Sequence, residues 1–291
     1  MSKKTTEQIN NSEILFLYDA KRCNPNGDMD NENKPRMDWD TGTNLVSDVR
    51  LKRYIRDYLE TVKDETLFVT NKAEDAKDRV KQLDDKDVLD LIGVRLFGAV
   101  TATETADHLT GPVQFNWGYS LNRVELQDTK TITSSFSSGK GVGKDYRVKY
   151  SFIAFSGGIS GLAAKDTKLS NDDINLLDEA IIKSIPLNRT RSKIGQTPRL
   201  YLRVELRDNE SFLNDLREYI NLNYGVTEED VREISDCKLD IDELIDYLND
   251  NKNRVSKIHY WKDSKLQFKD DGFDKLLSLF DEDDSKVELN Y

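Results

Sequence analysis

The apolar positions of this chain change period in a regular way. Between Glu13 and Asp19 the run Ile14-Leu15-Phe16-Leu17-Tyr18 is unbroken, which predicts a short buried strand. Further on, Leu200, Leu202, Val204 and Leu206 alternate with Tyr201, Arg203, Glu205 and Arg207. That alternation predicts a strand with one face in the core and the other towards solvent or a ligand. Val148 to Phe155 reads as another strand, and Gly111 to Tyr119 as a strand opened by a Gly-Pro turn pair. Elsewhere the spacing is helical. Leu51, Ile55, Tyr58, Leu59 and Val62 form one stripe, and Ile174, Leu177, Ile181, Ile182 and Ile185 form another. Each stripe follows a start signal: Ser47 as an N-cap, and Ser170-Asn171-Asp172-Asp173 as a capping-box-like sequence.

The strong elements therefore run strand, helix, strand, strand, helix, strand. This is the order of a split βαβ, so the expected fold class is α+β: a ferredoxin-like, RNA-recognition-type palm with an antiparallel sheet. Both helices would lie on one face and leave the other free, as RNA-recognition folds do, although the aromatic signature for base stacking on such a sheet is absent. Around this frame, residues 1–12 are polar, and residues 63–90 are charged with a helix candidate from Ala73 to Leu91. Gln127 to Asp145 is polar and reads as a long exposed hairpin or loop. Residues 208–291 read as acidic amphipathic helices, such as Leu239 to Leu248, with a strand-like piece from Ile258 to Trp261.

Composition narrows the function. No run approaches the roughly 18 apolar residues of a membrane span. With only Cys23 and Cys237 there is no disulfide framework, and a reducing cytoplasm is expected. The net charge of −11 argues against nucleic acid until its distribution is followed. Lys and Arg number 32 against 31 acids in residues 1–207, but 11 against 23 in residues 208–291. Lys183 to Arg207 carries seven basic residues (Lys183, Arg189, Arg191, Lys193, Arg199, Arg203 and Arg207) and one acid, Glu205. A phosphate senses such a local surface within a Debye length of roughly 8 Å, not the global charge.

Catalytic chemistry finds little support. His108 and His259 have no cysteine or paired carboxylate at metal-ligand spacing, and no Gly-x-Ser-x-Gly elbow occurs. Gly139-Lys140-Gly141-Val142-Gly143-Lys144 fails as a phosphate loop, because Asp145 follows the lysine and Ser138 stands where the first glycine belongs. Asp28, Asp30, Asp38 and Asp40 could hold a metal or activate a hydroxyl, but they fit turn formation and solvation better. No catalytic residue, metal or cofactor is expected. Phosphate binding suits the basic side of the first helix (Lys52, Arg53, Arg56) with Arg22, Lys34 and Arg36 nearby.

One stretch is more specific. Asn24-Pro25-Asn26-Gly27-Asp28, Pro35-Arg36-Met37-Asp38, Gly42 and Leu45-Val46-Ser47-Asp48-Val49-Arg50-Leu51-Lys52-Arg53-Tyr54-Ile55-Arg56 together resemble the N-terminal signature of the CRISPR Cascade backbone subunit, the Cas-seven family of the RAMP superfamily, in its type I-B and I-C branch. Leu96-Phe97-Gly98, Gly111-Pro112-Val113-Gln114-Phe115 with Ser120-Leu121-Asn122-Arg123-Val124, and Arg189-Thr190-Arg191-Ser192-Lys193 agree in order. The resemblance covers about residues 13–207, and the acidic C-terminal part is similar to the I-B branch.

This resemblance implies a palm over residues 1–207, with a fingers insertion at about 60–95 and a thumb hairpin at about 125–147. Residues 208–291 would be an acidic helical extension packed on the palm. It implies a non-catalytic antiviral subunit that polymerises along a CRISPR RNA and presents it to a target DNA strand. Its partners would be that RNA, the DNA through the guide, neighbouring copies of itself and other Cascade subunits, with no membrane. Ser47, Lys52 and Arg56 match backbone-holding positions. Val100 takes the place of an apolar wedge, and Thr131, Ile132 and Thr133 fall in the thumb. Arg22, Asn24, Asn26, Lys34, Arg36, Arg50, Arg53, Arg189, Arg191 and Lys193 complete the expected RNA-binding set. The rivals are a metal-dependent endoribonuclease backbone subunit, as in type III effectors, and a generic single-stranded RNA binder.

Overall fold

The computed structural model describes residues 8–83, 87–100, 108–133, 142–281 and 285–291. The chain begins with strands β1 (Ser12–Lys21), β2 (Gly27–Asp28), β3 (Lys34–Pro35), β4 (Met37–Asp38) and β5 (Thr43–Val46), then helix α1 (Asp48–Val62). Helices α2 (Ala76–Gln82) and α3 (Ile92–Phe97) precede β6 (Gly98–Val100), β7 (His108–Thr110), β8 (Val113–Phe115) and β9 (Gly118–Ser120). A hairpin of β10 (Leu126–Thr133) and β11 (Val142–Val148) leads into β12 (Tyr150–Ile159), α4 (Gly161–Thr167), α5 (Asn171–Leu187) and β13 (Gln196–Leu206). The C-terminal segment adds β14 (Asn221–Tyr224), β15 (Cys237–Asp240), α6 (Asp242–Asp250), β16 (Val255–Lys262), α7 (Gly272–Ser278) and β17 (Lys286–Glu288).

Nine of these strands form one sheet in the order β17-β16-β13-β1-β12-β9-β5-β4, with β8 also on β12. All neighbours pair antiparallel except β16 and β17. Ser47 caps α1, its Oγ accepting from the Arg50 amide at 3.3 Å. Ser170 and Asp173 form a complete capping box at α5. Arg95 on α3 grips the same Asp173 through both carboxylate oxygens, at 2.7 and 2.9 Å, and so fixes α3 against α5.

One face of the sheet packs on α1 and α5. Ile14, Phe16, Tyr18 and Ala20 of β1 share a core with Leu51, Tyr54, Ile55, Tyr58 and Leu59 of α1 and with Ile174, Leu177 and Ile181 of α5. Val62, expected on the α1 stripe, lies exposed at the helix end, and Tyr54 is buried in its stead. The opposite face is not free, contrary to the sequence-based expectation. Leu15, Leu17, Phe152, Ala154, Leu200, Leu202, Val204 and Leu206 are buried there against Leu216, Ile234, Leu239, Leu244, Leu248 and others from the C-terminal segment. That segment is also less helical than its pattern suggests, since it supplies β16 and β17 to the sheet and the separate β14–β15 pair.

Strand β13 is therefore covered on both sides, and its alternating face does not point to solvent or ligand. Tyr201 and Arg203 are buried on the helix side, where both meet Asp178 of α5. The Tyr201 hydroxyl donates at 2.6 Å and the Arg203 guanidinium at 2.8 Å. On the other side Arg199 joins β1 to the C-terminal segment through Asp19 at 2.7 Å and Asp263 at 2.6 Å. Among the described residues no helix is long and apolar enough to cross a membrane. Both cysteines are buried and free.

Removing one partner of a buried ion pair leaves the other charge uncompensated. Asp178→Ala should cost about 3–5 kcal/mol and lower the midpoint of urea unfolding accordingly. The outlying exposed pair Lys286–Asp281 should change stability by less than about 1 kcal/mol when either partner is removed.

Candidate nucleic-acid interface

The loop between β1 and β5 is fastened to the start of α1 by its own amides. Asn26 Oδ1 accepts from the Ser47 backbone N at 2.9 Å and from Ser47 Oγ at 3.0 Å. Asn24 is buried, and its Nδ2 donates to the Asn33 carbonyl at 2.8 Å. Arg36 lies 3.1 Å from Asp28 across the same loop. Asn24 and Asn26 thus shape the loop rather than project from it. Arg50 lies over the Tyr54 ring at 4.2 Å, with its Nε buried and unpartnered.

A distant segment closes onto this loop. Lys193 Nζ donates to the carbonyls of Asn24, at 2.6 Å, and Pro25, at 3.1 Å, while the Asn24 amide donates to the Ser192 carbonyl at 2.8 Å. Gly195 allows the approach: its φ is +111°, and a Cβ there would stand 2.4 Å from the Lys21 carbonyl oxygen. Burial first, then the neighbouring Arg50 guanidinium, pushes the Lys193 amine down to about 7.

The root of the β10–β11 hairpin docks on both segments. Asp145 accepts from Arg147 at 2.8 Å and from Arg191 at 3.1 Å, and Arg147 also donates to the Arg22 carbonyl at 2.9 Å. Lys144 and Tyr146 both donate to Glu32, at 2.9 and 2.6 Å, which holds that carboxyl below its usual range. Lys34 stands over the Tyr146 ring at 5.1 Å. Arg22 and Arg189 are exposed at this junction and its neighbouring turn.

The fold thus gathers Arg22, Asn24, Asn26, Lys34, Arg36, Ser47, Arg50, Arg191 and Lys193 around one junction. Lys52, Arg53 and Arg56 form a second group along α1, and they are half-buried rather than exposed. Lys52 reaches Gln114 at 2.9 Å and Asp48 at 3.3 Å. Arg53 holds Asp57 and Asn71, both at 2.7 Å. Arg56 stacks over Phe97 at 5.1 Å and meets no carboxylate among the described residues; burial lowers its pKa. Val100 ends β6 and is 57% exposed. Thr131, Ile132 and Thr133 lie on β10, paired through the backbone with Lys144, Gly143 and Val142; the hairpin tip, 134–141, lies outside the described residues.

Sequence reasoning missed Arg147, Gln114 and Tyr146 as parts of these surfaces. None has a local signal, because each acts through a partner far along the chain. Of the loop acids, Asp28 faces Arg36 and Asp38 Oδ1 accepts from the Asp40 amide at 3.1 Å, while Asp30 and Asp40 are exposed. Among the described residues no three His, Cys, Asp or Glu side chains are grouped to hold a metal ion.

These features define an α+β protein with a largely antiparallel sheet and a cation-rich junction where two loops and a hairpin root meet. The sequence model of the family described as CRISPR-associated protein Cas7 matches residues 10–242. A CRISPR-associated protein Cas7 of Haloferax volcanii is 33% identical over 302 aligned residues, covering 89% of this chain and 88% of the relative. The chain belongs to the Cas7 family. Two solved structures share its fold. One is a chain of a pre-nicking CRISPR RNA-guided surveillance complex, with a TM-score of 0.57 at 12% identity over 97% of this chain and 96% of that one. The other, from a CRISPR RNA-guided surveillance complex, has a TM-score of 0.55 at 15% identity over 92% and 98%.

The depressed Lys193 pKa has a definite sign in stability. Between about 7 and the unfolded value near 10.4, the unfolded chain holds a proton that the folded chain lacks, so this group makes stability rise with pH. In urea titrations from pH 7 to 10, Lys193→Met should lose that rise relative to the parent protein. An unchanged difference between the two proteins across this range would mean the amine is not depressed.

Proposed function

We propose that this protein is the repeating backbone subunit of a type I Cascade effector. Copies lie along a CRISPR RNA, hold its phosphates, and present its bases to a target DNA strand alongside other Cascade subunits. The observation that carries this reading is membership of the Cas7 family across residues 10–242, which include the loop–α1 unit and seven of the nine strands of the sheet. Near full-length likeness to chains of RNA-guided surveillance complexes supports it.

The central order β13-β1-β12-β9, with α1 and α5 against one face, supports treating this part of the sheet as a ferredoxin-like palm. Within that reading residues 60–95 are the fingers, 125–147 the thumb, and 208–291 an extension packed on the palm. Val100, Thr131, Ile132 and Thr133 are assigned to the wedge and the thumb contacts. The RNA grip is assigned to the junction cations Arg22, Lys34, Arg36, Arg50, Arg189, Arg191 and Lys193 with Ser47, and to Lys52, Arg53 and Arg56 along α1, while Asn24 and Asn26 shape the loop that presents them. Cations of this kind position a backbone without reading bases, which suits a guide whose sequence must vary. Linked copies multiply modest contacts into tight binding.

We take the subunit to be non-catalytic, with Asp28 and Asp38 as turn-forming acids. A cytoplasmic setting suits two free, buried thiols, whose pKa values burial pushes up to about 12. Purified protein should carry RNA of one repeat-flanked length, seen in its absorbance ratio and on a denaturing gel. RNA of random length would favour a generic binder. Regularly spaced, divalent-ion-dependent cuts in complementary RNA, abolished by Asp30→Ala, would favour the endoribonuclease.

Replacing Lys52, Arg53 and Arg56 together by Ala should weaken binding of all spacer sequences alike. It should also reduce the slope of log affinity against log salt by roughly 2, at about 0.7 per phosphate contact. An unchanged slope and affinity would remove α1 from the RNA site.

A further inference from the structure

Trp39 stands apart from both cationic groups. It is 63% exposed, at the turn between β4 and β5, and makes no aromatic or cation contact among the described residues. The turn that carries it is rigid. Asp38 pairs with Thr43 across the strands, Asp38 Oδ1 accepts from the Asp40 amide, and the Gly42 amide donates to the Asp38 carbonyl at 2.9 Å. Gly42 has φ +72°, and its carbonyl accepts from the Val124 amide at 2.8 Å, which ties the turn to the root of the hairpin. An indole is therefore displayed to solvent by a fixed backbone, against the general tendency to bury it.

What faces it is a cup of about 550 Å³ lined by Met37, Trp39, Arg123, Val124, Leu126 and two carboxylates, Glu229 and Glu125, the latter already paired with Lys149 and Arg232. Val124 is buried and gives the cup an apolar floor. Arg123 is exposed and has no ion pair among the described residues. Its side chain runs across the turn: a Cβ on Gly42 would come within 2.9 Å of its Cγ and 3.1 Å of its Nε. A flat aromatic platform, an apolar floor and an unneutralised guanidinium are the parts from which proteins build sites for single-stranded nucleic acid. The rim carboxylate of Glu229 suits the amino-bearing edge of a base as an acceptor. A purely apolar peptide side chain would use neither the guanidinium nor that carboxylate.

We propose that this cup takes one unpaired base of single-stranded RNA, stacked on Trp39, with Arg123 on the adjoining phosphate. The inference rests on the RNA-binding function proposed above and adds a base-holding site that the backbone-gripping residues do not supply. Stacking on an aromatic platform is tolerant of base identity, so the site is compatible with a guide of any sequence.

The test compares the full-length protein with Trp39→Ala, Trp39→Phe and Arg123→Gln, titrated against a short oligoadenylate and an abasic oligomer of equal length. Exposure of both side chains makes folding of the variants straightforward to verify by circular dichroism. Trp39→Ala should weaken oligoadenylate about 5- to 150-fold and leave the abasic oligomer unchanged. Trp39→Phe should restore most of the loss, and Arg123→Gln should lower the salt slope by about 0.7 for both oligomers. A wild type that binds RNA while Trp39→Ala has no effect, or affects both oligomers equally, overturns the stacking site alone. Shortened protein assemblies with unchanged oligoadenylate affinity would likewise overturn it and make the cup a protein contact. A wild type that binds neither oligomer overturns the RNA-binding function as well.

Discussion

Strand β1 is hydrogen-bonded along both edges and covered on both faces, and the placement of most other elements follows from that burden. Its partners β12 and β13 satisfy the backbone groups that burial would otherwise leave unpaired. Its even-numbered side chains need α1 and α5, and Leu15 and Leu17 need the C-terminal segment. The acidic segment therefore closes the second of the two large cores that flank the sheet. Among the described residues none of its acidic side chains is buried, because Leu239, Leu244 and Leu248 point inward.

The cationic junction lies where the polypeptide leaves this sheet. Strand β1 ends at Lys21 and β13 begins at Gln196, adjacent in the sheet, so the loops beyond them must meet. Their meeting brings like charges together, and the protein offsets the repulsion with Glu32, Asp145 and backbone carbonyls. Lys193 stands out because carbonyl dipoles, not a carboxylate, face its amine. A phosphate chain arriving here would find cations already positioned and partly neutralised. On the proposed reading each copy contributes modest affinity, a condition under which a linked array can assemble in register on RNA.

Much of the framework was legible in the residues. The apolar run of β1, the caps at Ser47 and Ser170, and the helical stripes are local signals, and they gave the right elements in the right order. The covered second face was not expected, although an unbroken run such as Ile14-Leu15-Phe16-Leu17 is what a strand buried on both sides carries. The alternation in β13 pointed the other way, because Arg203 counts as polar in any pattern. Its burial depends on Asp178, which reaches it only once α5 lies on the sheet.

The same division holds at the candidate site. The motif from Asn24 to Arg56 linked its stretch to a family, but it could not say which side chains are spent on the protein itself. Asn24 and Asn26 close the loop, and Arg53 is held by Asp57. Local periodicity and capping chemistry act over a few residues, so the sequence by itself determined the elements, their order and the family signature. Burial, ion pairing and the company each cation keeps depend on residues scores of positions away. Only the tertiary structure decided that the sheet is covered on both faces, that Lys193 sits beneath the first loop, and that Trp39 is left facing an open cup.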